Sequence, residues 1–178
     1  MRVTLWLLAG LVFSAGCSPK YVHEGQISPA FDTRQSYDVA IMPFLVRGLR
    51  APGGFERDIA YDYLARTMMG TGKLMPQDGF AVRDLVKKET FGQMDGIDPV
   101  KARALGKKLG ADLVCLAELS FEQIEPKVVL IATVKLHSVD SPTILYSGLG
   151  RSANPLSLNA AAEGALGLAT KKLIEAMR

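Results

Sequence analysis

Side chains able to do chemistry are few and scattered: two histidines and two cysteines in 178 residues. His23 and His137 stand too far apart for the short spacing with which a histidine pair closes on zinc. His137 falls near the end of a strand-like segment and reads as a half-exposed strand histidine. As a general base it would need an activated serine, and no nucleophile-elbow motif is present. Cys115 lies inside an apolar run with no basic neighbour to lower its pKa, so it reads as a small core hydrophobe. Gly70-Thr71-Gly72-Lys73-Leu74 has the glycines and lysine of a phosphate loop, but a Walker A sequence needs glycine where Thr67 stands and a hydroxyl where Leu74 stands. A helix stop is the better reading. Arg47, Arg50 and Arg57 form a candidate anion-binding loop, because they surround glycines that precede a helix N-terminus, whose free N–H groups favour anions. A solvated connection is the plain alternative. These residue types predict no enzyme, no metal centre and no cofactor.

Cys17 stands apart from the rest. Arg2 is followed by an apolar run, Val3 to Phe13, and then by Ser14, Ala15 and Gly16 directly before the cysteine, the order of a secretory signal. The run is well short of the ~20 residues a helix needs to cross a bilayer. The tetrapeptide Ser14-Ala15-Gly16-Cys17 resembles the lipobox of bacterial lipoprotein precursors, with Ser14 where leucine is usual. That resemblance implies a signal peptide over 1–16, lipidation of Cys17 with acyl chains such as palmitate, and, with Ser18 rather than aspartate next, an anchor in the outer membrane facing the periplasm. Two or three chains hold a protein firmly where one binds reversibly. Cys115 is then the remaining thiol, so no intramolecular disulfide can form. Removing residues 1–16 deletes one Arg and no acid, which takes the formal charge from +3 to +2, too balanced to argue for nucleic acid.

Residues 17–36 carry prolines, a glycine and polar residues without an apolar period, and are read as the lipidated cysteine and a flexible tether. A globular domain is expected over 37–178. YDVAIMPFLV reads as a buried strand. Phe55, Ile59, Tyr63, Leu64 and Met68 recur at helical spacing before Gly70. Lys73 to Met75 reads as a short strand and FAVRDLVKKE as a helix with Ala81, Val82, Leu85 and Val86 inward. Asp98 and Pro99 supply a cap and first turn for a helix with Val100, Ala104, Leu105 and Leu109 on its apolar stripe, stopped by Gly110. Two alternating runs, ADLVCLAELSF and KVVLIATVKLHSV, and then TILYSGLGR read as an antiparallel meander. Leu158 to Ile174 closes the chain as a helix whose small residues allow a close approach to a sheet. Together these predict an α/β (α+β) domain with a single mixed sheet of about 4–5 strands and helices packed on it.

Val39-Ala40-Ile41-Met42-Pro43-Phe44 and the stretch from Ala102-Arg103-Ala104-Leu105-Gly106 to Leu109-Gly110-Ala111-Asp112-Leu113-Val114, with the strand pair that follows, resemble periplasmic lipoproteins related to CsgG and LpoB. Ala117 stands where that family usually has glycine. The resemblance implies an anticodon-binding-like topology and a non-enzymatic protein-interaction or assembly module of the cell envelope, whose partner is another envelope protein or further copies of the chain. The alternatives are a subunit of a curli-type secretion channel, against which the strand intervals read as too short for two membrane-spanning hairpins in addition to the soluble fold, and an envelope-polymer hydrolase resting on His137.

Overall fold

The computed structural model of the chain describes residues 21–48, 55–89, 97–124, 127–153 and 158–178. Among them, strands β1 (Tyr21–Ile27), β2 (Tyr37–Ile41), β3 (Leu45–Gly48), β4 (Leu74–Pro76), β5 (Leu113–Ile124), β6 (Lys127–Ser138) and β7 (Ile144–Ala153) share one sheet. Helices α1 (Phe55–Met69), α2 (Gly79–Glu89), α3 (Pro99–Lys108) and α4 (Leu158–Met177) pack on it. The order across the sheet is β1-β7-β6-β5-β2-β4, with β3 also against β5. The β1, β7, β6 and β5 ladders are antiparallel; β2 and β3 run parallel to β5, and β4 parallel to β2. The mixed sheet and the α/β class are as the sequence implied, but the sheet has 7 strands rather than 4–5.

One added strand comes from the break of YDVAIMPFLV into two. Val39–Ile41 lie opposite Leu113–Cys115 and Leu45–Gly48 opposite Glu118–Phe121, so Met42, Pro43 and Phe44 face only Leu116 and Ala117. Pro43 has no N–H to give the ladder, and one surplus residue is a bulge. The bulge sends Met42 into the core on one side of the sheet and Phe44 into the core on the other.

The other added strand corrects the tether. Tyr21–Ile27, placed by the sequence reading inside residues 17–36, forms β1 and pairs along the whole of its length with β7. The chain then straps across one end of the sheet: Ser28 N–H donates to Leu145 O at 2.9 Å, and Phe31 is buried against Tyr37, ring centroids 5.3 Å apart. β1 carries the polar side chains His23, Glu24 and Gln26, as an edge strand tolerates, and this hid it from a search for apolar periodicity.

The meander is present as read, with strand lengths within a residue of the runs in the sequence. β5 and β6 have 12 residues each and β7 has 10, long enough for the ~9–11 of a membrane-spanning strand. All three are paired in this one sheet, and α4 packs across β6 and β7. Among the described residues no helix is long and apolar enough to cross a membrane.

Local signals place the helices. Phe80 N–H donates to Asp78 Oδ1 at 3.0 Å to start α2, and Val100 N–H donates to Asp98 Oδ1 at 3.1 Å to start α3 at Pro99. At the other end of α3, Ala111 N–H donates to Gly106 O at 3.0 Å and Gly110 N–H to Lys107 O at 3.1 Å, with Gly110 at φ +71°, a Schellman stop. Asp112 then accepts the Asp38 N–H at 2.8 Å and ties β5 to β2. The inward face of α3 differs from the expected stripe: Ala102, Leu105 and Gly106 are buried, whereas Val100 is 63 % exposed and Ala104 is also exposed. Ala81 of α2 likewise faces out, and Val82 and Val86 are buried.

Two cores lie on the two faces of the sheet. On one, α4 and α1 close over Cys115, Leu119, Leu130, Val134 and Leu136. α4 comes very near because β7 carries glycine beneath it: a Cβ on Gly148 would stand 1.9 Å from Ala169 O and one on Gly150 2.1 Å from Ala165 O. On the other face α2 and α3 cover Ala40, Met42 and Val114, a smaller core at the β2–β5 side.

Candidate functional site

The second face is covered only in part. Beyond α3 the alternate side chains of β5, β6, β7 and β1 that point away from α4 remain partly or fully exposed: Leu116, Glu118 and Ser120; Ile131, Thr133 and Lys135; Ser147, Leu149 and Arg151; Glu24 and Gln26. Apolar and charged residues alternate across it, with both signs represented. Arg47 on β3 reaches Glu118 on β5 at 2.8 Å, an exposed pair that fixes two side chains on this face and contributes little stability.

Where α3 meets the open face there is a hollow of about 240 Å³. Leu116, Glu118, Thr133, Lys135 and His137 form its floor from β5 and β6. Pro43 and Leu45 wall it from the β2–β3 bulge, Ile97 and Pro99 from the start of α3, and Ile144 from the start of β7. His137 sits opposite Val114 and Ile144 at a register shift between β6 and β7.

The structure corrects the half-exposed reading of His137. It is 5 % exposed, and its Nε2 is buried without a hydrogen-bond partner, a condition that costs roughly 1–3 kcal/mol. Burial above all, and then the charges of Lys135 and Arg103, hold its pKa below the ordinary histidine value. The imidazole is therefore neutral at pH 7. It has no hydrogen-bonded nucleophile to activate at Nε2, so the arrangement offers a lone polar contact in an apolar hollow.

The remaining sequence candidates fall elsewhere. Arg47 is taken up by Glu118, while Arg50 and the Arg57 side chain lie outside the described residues, as do the 1–16 segment and Cys17. Cys115 is fully buried, and desolvation pushes its thiol up to about 12, so it is inert. At the helix stop, Lys73 N–H and Leu74 N–H donate to Thr71 Oγ1 at 3.1 and 3.0 Å, and Lys73 Nζ donates to Thr33 O at 3.0 Å; the lysine is spent on the strap. Among the described residues no group of His, Cys, Asp and Glu could hold a metal ion. The hollow itself was missed by sequence reading because it draws on five separate elements; the proline at the bulge and the Asp98-Pro99 cap were its only linear traces.

The architecture is similar to that of PelC from Paraburkholderia phytofirmans, solved as a dodecamer, with a TM-score of 0.57 at 15 % identity over 86 % of this chain and 96 % of that one. It is similar also to the C-terminal domain of LpoB from Escherichia coli, with a TM-score of 0.50 at 17 % identity over 67 % of this chain and 84 % of that one. The fold is of the LpoB type. No family model and no curated protein matches the sequence. The likeness is thus one of architecture.

Proposed function

We propose that the chain is a non-enzymatic lipoprotein of the cell envelope, anchored through lipid on Cys17 in the outer membrane and facing the periplasm, where it serves as a protein-interaction or assembly module. The observation that carries this reading is the uncovered half of the sheet. A domain that needed only stability would bury it, whereas this one leaves a surface of alternating apolar and charged residues on its sheet. The sequence order of Arg2, apolar run, small residues and Cys17 supports the anchor.

The position of β1 changes what that anchor does. Only residues 18–20 separate Cys17 from Tyr21, so at the reach of an extended chain the lipid lies within roughly 15 Å of the sheet's end. The domain is held close to the bilayer instead of standing off on a long tether. Palmitate labelling of the wild type and of Cys17→Ala tests the anchor; label retained by the variant would end that part of the reading. Crosslinking from Leu149 or Arg151 replaced by a photoreactive residue tests the surface. Capture of an envelope protein from these positions, and not from exposed Glu175 on α4, is expected. Equal capture from all three positions would count against a dedicated face.

A second reading is supported by the likeness to PelC, whose structure is a dodecamer: the partner on the open face is another copy of this chain. Sedimentation of the purified protein separates the two. A ring of fixed stoichiometry that photocrosslinks to itself through Leu149 favours self-assembly; a monomer favours a foreign partner.

A further inference from the structure

The hollow beside α3 joins three features that ordinary packing does not explain. It is walled by apolar side chains, it holds a buried imidazole nitrogen without a partner, and its charged groups do not cancel. Glu118 is already paired with Arg47 at 2.8 Å. Lys135, two residues from His137 on the same face of β6, forms no ion pair among the described residues, and Arg103 of α3 adds a second positive charge felt by the ring. The head of the hollow is therefore cationic and short of an acceptor, and its body is hydrocarbon.

We propose that this hollow binds a small apolar carboxylate, whose oxygens meet Lys135 and the His137 ring and whose hydrocarbon group lies against Leu45, Ile97, Leu116 and Ile144. A neutral imidazole carries one N–H; in the tautomer with hydrogen on Nε2, which is closed to solvent, a turn of the ring on ligand entry lets that N–H donate to a carboxylate oxygen and gives the atom a partner. Lys135 supplies the compensating charge. The volume of about 240 Å³ gives room for roughly eight water-sized groups, close to the size of hexanoate. A pocket with apolar walls and a few convergent polar groups is the usual form of a small-ligand site. This goes beyond the interaction reading and does not depend on it, since every group that would hold the ligand belongs to this chain.

The chain has only two histidines, and His23 is exposed on β1, so nitrogen-15 histidine labelling of the full chain gives a reporter and an internal reference. Titration with hexanoate should move the His137 ring signals saturably and leave those of His23 in place. Hexanol, with the same body and no charge, should bind about tenfold more weakly or worse. Lys135→Gln should weaken hexanoate by about tenfold and leave hexanol unchanged, a pattern that a misfolded variant would not give. N-acetylleucine, which presents the carboxylate of a peptide end, identifies the source: tighter binding than hexanoate assigns a peptide C-terminus, weaker binding a free acid. The proposal is overturned if hexanoate leaves the His137 signals unmoved, if it shifts His23 equally, or if hexanol binds as tightly as hexanoate.

Discussion

The two faces of one sheet have been put to different uses. Beneath α1 and α4 the residues Cys115, Leu130, Ala132, Val134 and Leu136 are all 0 % exposed, and β7 gives up side chains altogether at Gly148 and Gly150 so that the α4 backbone can come down on it. The opposite face is closed by α2 and α3 only as far as β5, and beyond that line it keeps charged residues, an exposed Ile144 and a hollow lined by an imidazole whose Nε2 has no partner. The same strands contribute to both, because successive side chains of a strand point to opposite sides. Stability is concentrated on one face, which frees the other to carry groups that a core would reject.

That contrast can be broken most directly from the closed side. Leu166→Ala empties a wholly buried site beneath α4 and should cost about 2–5 kcal/mol in urea unfolding. Gly150→Val forces a side chain against the Ala165 carbonyl, a contact with backbone that cannot rotate away, and should cost about 3 kcal/mol. If either variant unfolds at the wild-type urea concentration, the closed face does not carry the stability assigned to it. At the border between the faces, Asp98→Ala removes the cap of α3 and should cost about 1 kcal/mol. On the open face, Arg47→Ala breaks an exposed pair and should change stability by no more than about 0.5 kcal/mol.

Acid sharpens the comparison from the other side. His137 has a folded-state pKa below its ordinary value of 6.5, so as pH falls the unfolded chain takes up its proton first. Stability is full above about pH 7 and declines as pH drops from the ordinary value through the lowered one. Urea midpoints measured across this window should fall in the wild type, and the fall should be shallower in His137→Gln. Parallel curves for the two proteins would mean that the ring is not the group responsible.

Much of the architecture was readable from local pattern. The alternation in ADLVCLAELSF and KVVLIATVKLHSV named the buried face of β5 and β6, and Asp98, Pro99 and Gly110 bounded α3. Errors arose where burial is decided by distant neighbours. Val100 looks like a core residue by spacing, but in the first turn of α3 it is left 63 % exposed. β1 looks like linker because an edge strand whose outer edge is unpaired needs few apolar side chains, and its place is fixed by pairing with a strand more than a hundred residues later.

Taken alone, the sequence determined the periodic elements, their caps and stops, the inert setting of Cys115 and the signal-like order that ends at Cys17, because each of these depends on residues near one another in the chain. Tertiary structure alone decided that residues 21–36 belong to the domain, that His137 is buried, and that Pro43, Ile97, Leu116, Lys135 and Ile144 enclose one hollow. The physical reason is that burial and charge environment are set by which surfaces meet, and here the meeting surfaces come from five segments separated along the chain.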